Sequence, residues 1–207
     1  MSVLIQKKTN KTTNVKLTLA ALLFFCINDA EVHGAAIHVA PGAFVDERGV
    51  IGGVGPLTIN GGGEIDLNAI NTFSGGLIND SSTVDIRLAD NLGVDHKVTF
   101  TGVGDSILHV TESLTIDEVD TTVNKAIVNV DAGKLVTIAT FSGANTVHKI
   151  GMGVGRIGPH VGHVILHEGA MDFLDLASFN GLGALTLRPN TTMKLPVGVC
   201  TTDITLG

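Results

Sequence analysis

Three histidines, His160, His163 and His167, fall in the run H-V-G-H-V-I-L-H-E. On a helix His163 and His167 would share a face and offer two imidazoles to one metal ion. The residues between them alternate as a strand does, and four residues along a strand span about 13 Å. One ion needs its ligands within about 2 Å of itself, so this run cannot chelate alone. Exposed histidines on a strand surface are expected, and no metal site. Close by, Gly153-Val154-Gly155-Arg156-Ile157-Gly158 matches Gly-x-Gly-x-x-Gly. A dinucleotide site needs that run to turn a strand into a helix whose N-terminus meets the pyrophosphate. Here Pro159 follows at once and His160 to Glu168 reads as strand, so a glycine-rich corner is expected and no cofactor.

Two further groupings have chemical potential. Gly104-Asp105-Ser106 resembles the nucleophile motifs of serine-protease passengers and of certain esterases. Ile107 stands where a glycine would let an oxyanion approach, and no second domain is in view to supply a His and an Asp. Asp105 is better read as a corner residue. Asp117, Glu118 and Asp120 cluster on one corner, with Glu64 and Asp66 on another. Ca²⁺ takes about six to eight oxygens from a converging loop. A polysaccharide lyase would need a basic residue over its substrate, and the clusters hold no Lys or Arg until Lys125. The glycine-aspartate nonapeptide of calcium β-rolls is not reproduced at Gly61 to Asp66. A solvated acidic edge that discourages strand pairing is the expectation. No catalytic residue is singled out.

The elements that must carry these groups are short strands. Ile107 to Val110 and Leu114 to Ile116 alternate around a polar corner, and the pair recurs as Ile127 to Val130 and Leu135 to Ile138 around Asp131-Ala132-Gly133-Lys134. The offset is about twenty residues, the mark of a stacked repeat in which each unit buries its apolar face against the next. Similar pairs flank Pro41-Gly42 and Asn60 to Gly63, and recur at Val164 to Leu166 with Met171 to Leu174 and at Leu185 to Leu187 with Met193 to Leu195. Val84, Ile86 and Leu88 read as one face of a strand. No capped 3.6-residue period is sustained, so little helix is expected. A sandwich would want about seven longer strands and a mixed aromatic core. The fold class predicted is therefore all-β, a single-stranded parallel β-helix (solenoid) after an N-terminal signal peptide. About eight coils at roughly 4.8 Å each would make a rod on the order of 40 Å long. Its core would be Val, Ile and Leu ladders, with Phe73, Phe100 and Phe141 as candidate stacked aromatics.

The composition agrees. Glycine numbers 26 of 207, there is no Trp or Tyr, and the net charge is −7. Residues 1–16 carry four lysines, Leu17 to Cys26 is a short apolar core, and small residues follow. That order describes a secretory signal peptide over 1–34, too short in its apolar part to span a bilayer. Its removal would leave 9 basic and 18 acidic residues. No basic cluster survives, which argues against nucleic acid as a partner. Cys26 lies in the leader, so Cys200 would have no partner for an internal disulfide.

Gly55-Pro56-Leu57-Thr58-Ile59 followed by Asn71-Thr72-Phe73-Ser74-Gly75-Gly76 resembles the passenger-associated strand repeat of bacterial autotransporters. In that repeat a Gly-x-Leu-Thr-Leu strand leads to Asn-Thr-Tyr/Phe-Ser/Thr-Gly-Gly-Thr. Phe141 to Thr146 looks like a degenerate second copy, and Asn180 to Leu187 repeats the strand half. The texture is similar to passenger regions of the large rickettsial surface antigens. Leu77 replaces the family's threonine. Nothing like the family's translocator barrel follows the 35–207 passenger-like domain, so the chain is expected to be a fragment, a truncated product or a passenger exported by other means. The resemblance implies a non-enzymatic scaffold or adhesin at the surface or outer membrane, or in the periplasm, of a Gram-negative bacterium. Its implied partners are a host-cell or bacterial surface receptor, a missing C-terminal barrel as the membrane partner, and further copies by self-association. The alternatives are a polysaccharide-active β-helix enzyme of the pectate-lyase type, and a nonfunctional remnant of a split passenger gene.

Overall fold

The structure, a computed structural model, describes residues 17–18, 34–199 and 201–207. The signal-peptide expectation over 1–34 falls almost wholly outside the described residues, as does Cys200. Within them the predicted solenoid is present. Successive short strands stack in parallel, and two sheets run from one end to the other. The first face takes Phe44–Glu47, Glu64–Leu67, Thr83–Ile86, Ile107–Val110, Ala126–Val130, Val147–Ile150, His163–Leu166, Ala184–Leu187 and Ile204–Leu206, in that spatial order, with Leu17–Thr18 added beside Val45–Asp46. These strands mark about nine coils, close to the expected number, and at ~4.8 Å per rung they make a rod of roughly 40 Å.

Alternation within each strand decides which side chains are buried. On the first face Val45, Ile65, Val84, Leu108 and Val128 stand over one another in register and point inward. Parallel stacking places like on like, so β-branched and leucine side chains pack as continuous columns. Each such buried side chain contributes about 1.5–3 kcal/mol of transfer free energy. A second column runs through Ala126, Val147, Val164 and Leu185.

The second sheet bends around the molecule. The strand Leu114–Asp120 pairs through Glu118 to Asp120 with Lys97 to Thr99, which stack in turn on Leu77–Asp80 and Leu57–Asn60. Its other half, Leu114 to Ile116, pairs with Val136 to Ile138, and those with Val154–Ile157. In the coils of Leu114–Asp120 and Leu135–Ser142 one sheet thus covers two sides. In the early coils the turned side is shorter, with Gly52–Gly53 pairing Thr72–Phe73 and a 3₁₀ turn at Ala89–Leu92 lying next in line.

That turn corrects the reading of Val84 to Leu88. The strand ends at Ile86, because Asn91 Oδ1 accepts from the N–H groups of Arg87 at 2.9 Å and Leu88 at 2.8 Å. Leu88 is left 49% exposed. Helix is scarce, as expected: Leu176–Asn180 is one short turn and a half, capped by Asp175, whose Oδ1 accepts from Ser178 N–H at 2.7 Å. The aromatic ladder is different from the expectation. Phe73 and Phe100 are buried, but the ring contacts among the described residues are Phe141 with His160, His148 with His167, and Phe173 with Phe179. No helix among the described residues is long and apolar enough to cross a membrane.

Candidate functional site

The outward side of the first face carries a row of carboxylates. Asp46, Asp66 and Asp85 occupy one register position on three consecutive coils, and His109 and Asn129 continue the row. Like charges on adjacent rungs repel, so the row needs cations and donors. Arg48 donates to Asp46 Oδ2 through Nε at 2.9 Å and Nη2 at 2.7 Å, and Asn68 Nδ2 donates to Asp46 Oδ1 at 2.8 Å. Arg87 Nη2 donates to Asp66 Oδ2 at 2.8 Å. These residues, with Phe44, line an open depression of about 490 Å³. Asp66 is only 7% exposed, and its Oδ1 makes no hydrogen bond. The solvated-edge expectation is therefore wrong for Asp66, since the stacking of Asp46 and Asp85 on either side shields it from water.

Further along, His109 bridges two acids. Nδ1 lies 2.9 Å from Asp85 Oδ1 and Nε2 lies 2.8 Å from Asp131 Oδ1. Burial raises the Asp85 pKa to about 6, against the pull of His109. Burial opposes the charge on His109 too, but the hydrogen bond to Asp131 and the Asp85 charge outweigh it and raise its pKa.

The second acidic corner is also neutralised from a neighbouring coil. Lys97 Nζ sits 3.0 Å from Glu118 Oε1 and 3.5 Å from Asp120 Oδ2. The cluster's own sequence holds no Lys or Arg until Lys125, but the rung below contributes Lys97 at the Glu118 register. Ser142 Oγ donates to Glu118 at 2.5 Å, and together with Lys97 it holds the Glu118 pKa low. Asp117 lies 3.3 Å from His96.

The histidine run is dispersed. His160 is 2% exposed and packs its ring 4.7 Å from that of Phe141, contrary to the exposed-histidine expectation. Burial lowers its pKa; the Asn145 backbone favours the charged ring slightly, yet neither ring nitrogen makes a hydrogen bond. His163 Nε2 pairs with Thr186 at 2.8 Å, and His167 Nε2 with His148 Nδ1 at 2.9 Å. Among the described residues no group of three or more His, Cys, Asp or Glu is placed to hold a metal ion.

The remaining motifs are parts of the frame. Val154–Ile157 is a strand in the second sheet, and a Cβ at Gly158 would run into the Ala139 carbonyl of the coil below. Asp105 pairs with Lys125 at 2.8 Å, and the buried Ser106 Oγ accepts from Ser81 N–H at 2.8 Å and donates to Thr101 O at 2.9 Å. In the strand-repeat motif, Asn71 is a buried staple: Oδ1 accepts from Ile51 N–H and Nδ2 donates to Asn91 O, both at 2.9 Å. Thr72 and Phe73 form a strand, and Ser74 Oγ accepts from Gly55 N–H at 3.0 Å. Gly75 packs against Gly55 and Pro56, and Leu77 lies over Leu57. Gly76 has φ +74°, and a Cβ there would lie 2.6 Å from the Lys97 carbonyl. The motif residues Gly55, Leu57, Asn71, Thr72, Phe73, Ser74, Gly75 and Gly76 thus meet at one corner, on adjacent coils.

Lys149 escaped the sequence reading. It stands in the inward column between Val128 and Leu166 and is 3% exposed. Its ammonium donates to the carbonyls of Gly151, Gly153 and Glu168, and burial lowers its pKa to about 8.

No family model matches the chain, and neither a curated protein nor a solved structure matches it.

Proposed function

We propose that the chain is a secreted or surface-exposed β-helical protein of the autotransporter-passenger type, a scaffold or adhesin that contacts a host or bacterial cell surface. One observation carries the reading: the first face repeats the same chemical group, Asp46, Asp66 and Asp85, at rung spacing. A line of like groups suits a partner that is itself repetitive, since several weak contacts add along the rod. The leader-like residues 1–34 and the strand-repeat resemblance support export through the inner membrane of a Gram-negative bacterium, with a barrel outside these residues as the membrane partner. In this reading the protein is not an enzyme. The test is saturation binding of the fluorescently labelled chain to epithelial monolayers and to Gram-negative cells. Saturable binding displaced by unlabelled chain supports the proposal; uptake that stays linear and undisplaced on both surfaces sinks it.

A second reading gains from a specific observation. Asp66, which lines the depression with Arg87, stands one rung from Asp85, so a carboxylate pair lies beside a cation of the kind a polysaccharide-active β-helix would need. Release of reducing ends from cellulose, chitin, starch or pectate, lost in Asp85→Asn, would favour this enzyme over the scaffold.

A further inference from the structure

We infer that His148 and His167 form a two-imidazole site for copper(II) on the outward side of the first face. The inference goes beyond the contact-surface reading and does not depend on it. His163 and His167 are four residues apart on one extended run, about 13 Å, too far to share an ion. The neighbouring coil supplies the partner that the run lacks. His148 stands at the Ile165 register, between the two, and its Nδ1 lies 2.9 Å from His167 Nε2. The ring planes differ by 22° and the centroids are 5.2 Å apart, so these two nitrogens face each other. As neutral rings, one donates its hydrogen to the other.

The same spacing suits one ion in place of that hydrogen. Two cis nitrogens on a tetragonal copper(II), each about 2.0 Å from the metal, stand about 2.8 Å apart; on tetrahedral zinc they stand about 3.3 Å apart. An ion about 2.0 Å from both nitrogens lies off the line joining them, so each ring must tip by about 45°. Both histidines are half-buried rather than enclosed, and the outer torsion of a histidine is soft. Copper(II) also heads the affinity order for imidazole among the divalent first-row metals. Burial, then the nearby His167 and Lys125, hold the His148 pKa below the ordinary histidine value, which keeps its lone pair free at neutral pH. The Lys125 charge that would oppose a cation is paired with Asp105 at 2.8 Å. No third His, Cys, Asp or Glu among the described residues completes a cage, so water fills the other positions and the affinity is modest.

The experiment is calorimetric titration of the metal-free full chain with copper(II) and with zinc(II), joined to electron paramagnetic resonance of the copper-loaded chain. Copper(II) is expected to bind with a Kd below about 10 μM, at least tenfold tighter than zinc(II), with the hyperfine pattern of two equatorial nitrogens. His148→Gln and His167→Gln should each weaken copper at least about tenfold, whereas His163→Gln should leave it unchanged. Affinity should fall on acidification, as protons compete for both rings. Three results overturn the inference: no copper binding below about 100 μM, zinc binding tighter than copper, or binding that neither the His148 nor the His167 variant weakens, which means an adventitious ion only. Should one variant lose its β spectrum by circular dichroism, the other decides together with the nitrogen count.

Discussion

Lys149 shows how one residue can sit against the logic of its column. The alternation Val147-His148-Lys149-Ile150 sends residue 149 inward, where neighbouring coils place Val128 and Leu166. The ammonium survives there by satisfying three corner carbonyls. Replacing it with an apolar isostere removes a desolvated charge but strands carbonyl oxygens, and stranded acceptors cost about 1–3 kcal/mol each. Lys149→Met is expected to lower stability at pH 7 by roughly that amount, measured by urea unfolding. The pH dependence has a definite sign. The folded pKa lies near 8, below the unfolded value of 10.5, so between these the unfolded chain binds more protons. Stability contributed by this residue therefore rises from about pH 8 to 10.5, and the variant should lack that rise. Asp85 has the opposite sign. Its folded pKa of about 6 exceeds 3.8, so the folded chain holds the extra proton between those values. Its contribution is present below pH 4 and lost as pH rises through 6. Asp85→Asn should gain stability relative to the parent between pH 4.5 and pH 7; an unchanged difference across that interval would contradict the assignment.

At the scale of elements, the corners carry as much specification as the strands. The twenty-residue offset in the sequence was enough to find the strands and their inward residues, because parallel stacking repeats one pattern on every rung. What it missed came from contacts between coils. Lys97 meets Glu118 and Asp120 from one rung away, and Arg87 meets Asp66 in the same manner. Aligning F-V-D-E, E-I-D-L and T-V-D-I at Phe44, Glu64 and Thr83 would have exposed the aspartate row, since the third residue of each is the outward one. His160 and Lys149 were hidden for another reason: both are polar at inward positions, where residue type argues against burial. The corner at Asn71 shows why Leu77 departs from the resembled repeat. Leu77 is fully buried between Leu57 and Val98. Leu77→Thr would remove apolar volume and bury a hydroxyl, and a loss of about 3 kcal/mol is expected from cavity and desolvation together. Asn71→Ala leaves Ile51 N–H and Asn91 O unpaired in the interior and should cost roughly 2–4 kcal/mol. Urea midpoints measure both.

For the whole molecule, the arrangement of contacts matters more than their number. Each coil touches the coil before and the coil after, and the strand pairings run in unbroken order from Phe44–Glu47 to Ile204–Leu206. Stability in such an array is a sum of coil terms and nearest-neighbour terms, so a central coil, stacked on both sides, opens only by breaking two interfaces. Leu108 lies in the inward column with Val84 on one side and Val128 on the other, fully buried. Val45 occupies the same column in the first coil, with Ile65 on its inner side. Amide hydrogen exchange should accordingly be slowest at Leu108, Val128 and their pairing partners, and faster toward Val45 and toward Thr205. Leu108→Ala is expected to cost about 2–5 kcal/mol and to speed exchange in the coils on both sides. Val45→Ala should act mainly on the first two coils. Uniform acceleration along all nine coils by both variants would mean that the rod unfolds as one unit and that the nearest-neighbour description fails. Localised acceleration would mean that the rungs at Asp46 and Asp66 can open while the central coils stay closed.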